Sequence, residues 1–367
     1  MSAELRMFFD NEPAEAGQLD LFHTVQIDQA IGMATEAELE MALVLDENGQ
    51  WPDLEQPFIQ PFARMRIEIK SGEGEFVPLI DGPVVGQRYK MAAAPNQSRL
   101  TLVVFDDSVQ LNRVEQVVLY EELSASDIAE QLFSEAGMEA EVDSLDDAGG
   151  SLERVTVQRG TAMQLLRDLA RRHGMFLYVR PGERPGSSIG VFRRPDLTAS
   201  AFPEILLIGP ARNLDDLTIE FDGLRPFTAR AGGVDAADLT LLDAESETGT
   251  QTPLGDESSL ASVEPASLLL ARTRETWNDL SAAVNAAVDN ASWAYTAQGE
   301  VGTAYPAVLQ PHALVNLAGA GPMSGTYLIS QVRHRFDNGS YRQQFSLRRN
   351  ARSRVDITTS AAASGVF

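Results

Sequence analysis

Arg333, Arg335, Arg342 and Arg348 stand at alternating positions of two strand-like runs within residues 325–350. Guanidinium groups gathered on one face can hold carboxylates through charge-assisted, often bidentate hydrogen bonds. The chemistry open to them is recognition of an acidic surface, and they are the candidate partner or subunit contact. Residues suited to catalysis are sparse. His23, His173, His312 and His334 are scattered, with no partner at a metal-ligand spacing. Cysteine is absent, which excludes disulfides, thiolate metal sites and a Cys nucleophile. Gly319-Ala-Gly321-Pro-Met-Ser-Gly325 lacks the Lys-Ser/Thr of a phosphate-binding loop and reads as a turn. Among 53 acidic residues some pair will always resemble glycosidase carboxylates, so such a pair carries no information. The chain is therefore read as not an enzyme, with no cofactor and no metal.

The element that positions the arginines is a hairpin. Asn338-Gly339 lies between the two runs, and such a pair marks a two-residue turn because both positions need positive φ. In that register Phe336 faces Tyr341, Arg335 faces Arg342, Val332 faces Phe345 and Ser330 faces Leu347. One face carries Leu328, Val332, Phe336, Tyr341, Phe345 and Leu347, with His334 as a hydrogen-bonded core histidine. The other carries the four arginines with Gln331 and Gln344. Like charges opposite each other disfavour a ladder, so the Arg335/Arg342 pair predicts an acidic cover; the alternative is a face solvated by water.

The formal net charge of −24 argues against nucleic acid recognition and against an anionic membrane surface. Residues 325–354 hold seven Arg and one Asp, a basic end on an acidic body. The first residues show no basic region followed by an apolar core, so no signal peptide is expected. No apolar run approaches the roughly 18 residues of a membrane helix, so no membrane insertion is expected.

Residues 1–106 read as short strands bounded by turn signals such as Asn48-Gly49, Ser71-Gly72 and Asp81-Gly82, and are expected to form a β-barrel. Residues 107–204 read as a small α/β domain. Ser124 with Asp127, and Thr161 with Gln164, form capping boxes, and Gly137 and Gly174 close the two helices. Its Asp143–Gly150 loop fails the calcium-loop spacing. Residues 205–242 and 299–350 read as one discontinuous β domain. Between them, 243–298 is an inserted acidic loop followed by a long helix from Pro265 to about Ala297, and 351–367 is a polar tail. The fold class is thus mainly β with α+β insertions.

Four stretches, in order, carry a family likeness. They are Pro78-Leu-Ile-Asp-Gly-Pro-Val-Val-Gly86 with Leu100–Asp106; Ser126–Leu132 with Thr161–Val179; Arg230-Ala-Gly-Gly-Val-Asp235, which lacks the family's Trp; and Gly325–His334 with Gly339-Ser-Tyr341 and Phe345–Asn350. In these the chain resembles the baseplate hub proteins of contractile phage tails and related injection particles, the late control gene D group, akin to the hub part of VgrG spikes. The resemblance implies two similar β-barrel tube domains and a homotrimer that adapts a six-fold inner tube to a three-fold spike while lining the central channel. It implies as partners an inner-tube or tube-initiator protein, a separate trimeric spike protein and other baseplate components. Such a protein would be made in the bacterial cytoplasm and reside in the virion tail baseplate or injection particle. The alternatives are a tail-associated cell-wall-binding or cell-wall-degrading protein, and another tail component such as a tube protein.

Overall fold

The computed structural model describes residues 3–94, 97–145, 155–234, 239–271, 277–337 and 339–354. Alternating apolar residues build its first sheet. β1 (Ala3–Phe9), the short β2 (Glu12–Pro13) and a single helical turn, α1 (Ala16–Leu19), lead into β3 (Phe22–Ala30) and β4 (Glu36–Ala42). β5 (Arg64–Ser71), β6 (Val77–Lys90) and β7 (Arg99–Phe105) follow. Val25, Ile27, Leu39, Met41, Met65, Ile67, Leu102 and Val104 meet in one core. Asp81-Gly82, expected to be a turn, lies inside β6. Glycine is required there by close approach, since a Cβ on Gly82 would sit 1.9 Å from the Phe105 carbonyl oxygen.

The next residues combine a two-stranded ribbon, a three-stranded sheet and two helices. β8 (Glu115–Glu121) and β10 (Val155–Thr161) form a ribbon, and β11 (Phe176–Pro181), β12 (Ser188–Arg193) and β9 (Glu139–Val142) form a small sheet. Helix α2 (Ala125–Glu135) starts with the Ser124/Asp127 box, and α3 (Ala162–His173) with the Thr161/Gln164 box. α3 ends on Gly174 at φ 64°, a left-handed cap. The Asp143–Gly150 loop falls largely outside the described residues.

The second β region departs from expectation in its grouping. β13 (Phe202–Leu206) and β14 (Leu217–Phe221) join the later strands, whereas β15 (Phe227–Val234) and β16 (Leu241–Ser246) form a separate sheet with β18 (Ala266–Ala271). β15 and β16 thus share a sheet with β18 and not with the later strands. The physical reason is that Ala229, Ala231 and Ala244 present a small-residue face on which α4 (Trp277–Ala291) lays Leu280, Val284 and Val288. The expected helix from Pro265 to Ala297 shortens to α4, because the apolar run Leu268-Leu269-Leu270 pairs in parallel with β15. An apolar run of that length does not distinguish strand from helix by period alone. The acidic segment is likewise not all loop, since it contains β16 and the two-residue β17 (Glu257–Ser258).

β19 (Tyr295–Gly302) and β20 (Leu314–Ala318) precede the hairpin of β21 (Gly325–Asp337) and β22 (Ser340–Arg349), and β23 (Ala351–Arg352) closes the described chain. Residues 307–309 are a loop held by buried Gln343. Its Nε2 donates to Ala307 O at 2.9 Å and its Oε1 accepts from Leu309 N at 2.7 Å.

Among the described residues thirteen strands share one sheet. Its path runs β14-β19-β22-β21-β3-β4-β7-β6-β5-β1-β2, with β20 beside β21 and β13 beside β20. Among the described residues this path is open, where two separate barrels are the expectation. The cause is the length of β21. Its first residues pair with β20 and its last, Gln331 to Asp337, pair with β3. A bulge at Ser330 marks the change of partner. The core of the second region, with Ile205, Tyr305, Tyr327, Val332, Phe345 and Leu347, remains distinct from the first.

Candidate interaction surface

The hairpin pairs Phe336 with Tyr341, Arg335 with Arg342 and Val332 with Phe345, as its turn residues require. Gly339 has φ 80°, and Asn338 lies outside the described residues. The Ser330 bulge moves Leu347 opposite Ile329 and Leu328 opposite Arg348. Leu328 therefore changes face, because one extra residue inverts the side-chain alternation. His334 is buried on the apolar face, with Nδ1 2.8 Å from the Tyr341 hydroxyl. Burial pushes its pKa down to about 3 and raises that of the Tyr341 phenol.

On the outer face, Arg333 and Arg342 line a polar groove of about 620 Å³ with Asp215, Asp216, Glu300 and Gln344. Their carboxylate partners lie beside them. Arg333 Nε donates to Asp28 Oδ1 of β3 at 2.6 Å. Arg342 Nη1 donates to Glu300 Oε1 of β19 at 3.0 Å, and Gln344 Nε2 donates to the other oxygen of that carboxylate. Arg335 reaches Asp337 at 3.2 Å. The Arg335/Arg342 pair is thus tolerated because each guanidinium has an acid within the sheet. These are exposed ion pairs that contribute little to stability.

Arg348 is placed apart from the other three. Its guanidinium carbon lies 4.6 Å from the Trp293 ring centroid and 5.8 Å from that of Phe176. Its Nε is sealed from solvent without a hydrogen-bond partner. Burial, with Arg225 nearby, pulls its pKa down to about 10. His312 stacks on Tyr178 at 3.8 Å and lies edge-on to Phe176. Burial, reinforced by the charge of Arg348, lowers its pKa to about 3.

The acidic segment meets the basic end through other residues. β17 pairs with β23, and the Arg352 guanidinium grips both oxygens of Glu257 at 2.9 Å. Buried Arg349 donates from Nε to Leu254 O and from Nη1 to Ser324 O, each at 2.9 Å. Asn350 holds Leu254 N and Thr252 O. Gly325 is obligatory beside this clamp, because a Cβ would lie 2.6 Å from Arg349 Nη2.

A second charged cluster escaped the motif reading. Arg64 donates to Asp81 and Asp107, each at 2.7 Å, and buried Arg66 donates to Glu68 at 2.7 Å and to Gly182 O at 2.8 Å. Gly186 N donates to Asp81 Oδ2 at 2.9 Å. The cluster fastens the β11–β12 turn onto β5 and β6. Its signal was the alternation Arg64-Met-Arg66-Ile-Glu68, which puts three charges on the face opposite Met65 and Ile67. Within that turn Gly186-Ser-Ser188-Ile-Gly190 has the G-x-S-x-G spacing of a nucleophile elbow. Ser188 opens a strand instead of a strand-to-helix turn, and its buried hydroxyl donates to Asp107 Oδ2 at 2.6 Å, so the context of the motif is missing.

Among the described residues, no cluster of three or more His, Cys, Asp or Glu could hold a metal ion. No helix among them is long and apolar enough to cross a membrane.

A family model described as Alg8 N-terminal domain matches residues 22–338. No curated protein matches the chain. Several solved structures share its fold. A tail protein from Neisseria meningitidis is 12% identical with a TM-score of 0.63, over 95% of this chain and 97% of that one. The 43 kDa tail protein of a Shewanella oneidensis prophage is 16% identical with a TM-score of 0.64, over 95% and 99%. An Escherichia coli type VI secretion component, described as similar to T4 bacteriophage tail proteins, is 10% identical with a TM-score of 0.53, over 95% and 76%.

Proposed function

This chain belongs to the Alg8 N-terminal domain family, and from the fold that it shares with tail proteins we propose that it is a structural component of a phage-tail-like particle, acting as its baseplate hub. The observation that carries the proposal is the end-to-end likeness to two tail proteins, which spans nearly the full length of both chains. In this reading the protein is a homotrimer without catalytic activity, made in the bacterial cytoplasm and resident in a virion tail baseplate or contractile injection particle.

Each chain would contribute two tube domains, one per half of the continuous sheet, each wrapped round its own core. Residues 1–106 would form the first, and the later strands with the hairpin the second. Six such units around an axis would match a six-fold inner tube, and the three-fold chain would seat a separate trimeric spike. Two separate cores joined through β3 and β21 support this arrangement. The Arg333, Arg335 and Arg342 face is then the surface turned to a neighbouring subunit or to the tube. Light scattering on the purified protein, alone and mixed with the tube-initiating and spike proteins of its particle, tests the reading. A trimer that co-assembles with both is expected; a stable monomer that binds neither would overturn it.

A further inference from the structure

Between α3, α4 and the hairpin lies a cleft of about 380 Å³, within the rough 300–1,000 Å³ range of ligand pockets. Phe176, Trp293, Leu270 and Ala286 supply apolar walls. Among the described residues Arg348 and Arg171 line it, and no Asp or Glu does. Arg171 is answered by Asp168 at 3.5 Å. The Arg348 side chain makes no hydrogen bond or ion pair among the described residues; its guanidinium lies by the two aromatic rings. The charge that acts on it is Arg225, a second cation. Gln251 also lines the cleft, and its Oε1 is buried without a donor.

A largely buried cation without an acid costs free energy unless something anionic joins it. The cleft thus leaves one donor group and one acceptor unanswered, in apolar walls. We propose that it is a docking pocket for a glutamate or aspartate side chain, flanked by apolar residues, on another polypeptide. A peptide answers both groups, its carboxylate meeting Arg348 and a backbone N–H meeting Gln251 Oε1. An inorganic anion would answer only the first. That the polypeptide belongs to the same particle rests on the tail-component reading, whereas the chemistry of the cleft does not. A cleft that binds in a chain that fails to assemble would leave the pocket standing and sink that reading.

The test is titration of the full chain with the blocked peptide acetyl-Leu-Glu-Phe-amide, its Gln counterpart, and sodium acetate. The readout is the Trp293 indole N–H resonance, identified by its loss in Trp293→Phe. The Glu peptide should shift it saturably, and the Gln peptide should bind about tenfold more weakly or worse, as loss of a charged hydrogen bond implies. Arg348→Met should erase that preference while melting at or above the wild-type temperature, and Arg348→Lys should keep part of it. A Trp293 signal that ignores the Glu peptide, or responds equally to the Gln peptide, overturns the proposal. So does acetate matching the peptide at equal concentration, which would make the cleft a site for free anions. An arginine serving structure alone would lower the melting point on Arg348→Met and leave peptide discrimination unchanged.

Discussion

Arg333 donates through Nε to Asp28 Oδ1 at 2.6 Å, linking strands whose residues stand 305 positions apart. The pair lies at the seam where β21 leaves β20 and takes β3 as its partner. Both side chains keep partial access to water, so the pair contributes on the order of 0.5 kcal/mol and the ladder itself holds the seam.

For the same reason, charge reversal on this face should spare the fold. Arg335→Glu and Arg342→Glu are expected to cost the isolated chain less than about 1 kcal/mol and to disrupt assembly with tube and spike proteins. Thermal melts and light scattering at low and high salt check this. Variants that assemble like the wild type at both salt concentrations would refute the contact.

Arg349 has the opposite character. Arg349→Met strands the Leu254 carbonyl, while Ser324 O keeps its bond from Ser353 Oγ at 2.9 Å, and should destabilise by about 2 kcal/mol. Because the clamp holds the segment around 250–258, limited proteolysis should cut there sooner in the variant than in the wild type. Cleavage at an unchanged rate would show that β17 pairing and Asn350 suffice.

Asp81 joins Arg64, Arg66 and the Gly186 amide in one buried cluster. Asp81→Asn leaves two guanidinium groups short of a counter-charge and should cost about 3 kcal/mol. Hydrogen exchange should rise most at residues 182–188, where the turn rests on β5 and β6. Uniform exchange across the chain would place the loss elsewhere.

His312 and His334 both have pKa values of about 3 in the folded chain against an ordinary 6.5. Between those values the unfolded chain binds protons that the folded one refuses. The stability they confer is complete above pH 6.5 and falls as the pH drops toward 3, by up to about 1.4 kcal/mol per pH unit for each histidine. His312→Phe, which can keep the stack on Tyr178, should therefore lose about 1 kcal/mol less than the wild type between pH 7 and 5.5. Urea melts at the two pH values measure the difference; parallel losses would mean that His312 does not titrate in this range.

Local chemistry made much of this fold legible. Ser124/Asp127 and Thr161/Gln164 announce helix starts because the capping hydrogen bonds span three residues. Gly174 announces a stop because its left-handed backbone is a local requirement. The Asn-Gly turn sets the hairpin register for the same reason. The candidate face was legible as far as alternation reached, which placed Arg333, Arg335 and Arg342 together. That Arg348 lies apart from these three, against Phe176 and Trp293, had no local mark, because that packing is a long-range event.

What the sequence determined by itself is thus whatever depends on neighbours within a turn or a strand: caps, the hairpin register, the apolar alternation of β3, β4 and β5, and the basic end on an acidic body. Tertiary structure alone decided which strand β21 takes as its second partner, that Leu268-Leu269-Leu270 joins a sheet instead of a helix, and which acid answers each arginine. Those outcomes turn on residues hundreds of positions apart competing for the same edge or the same charge, and no window of sequence contains both competitors.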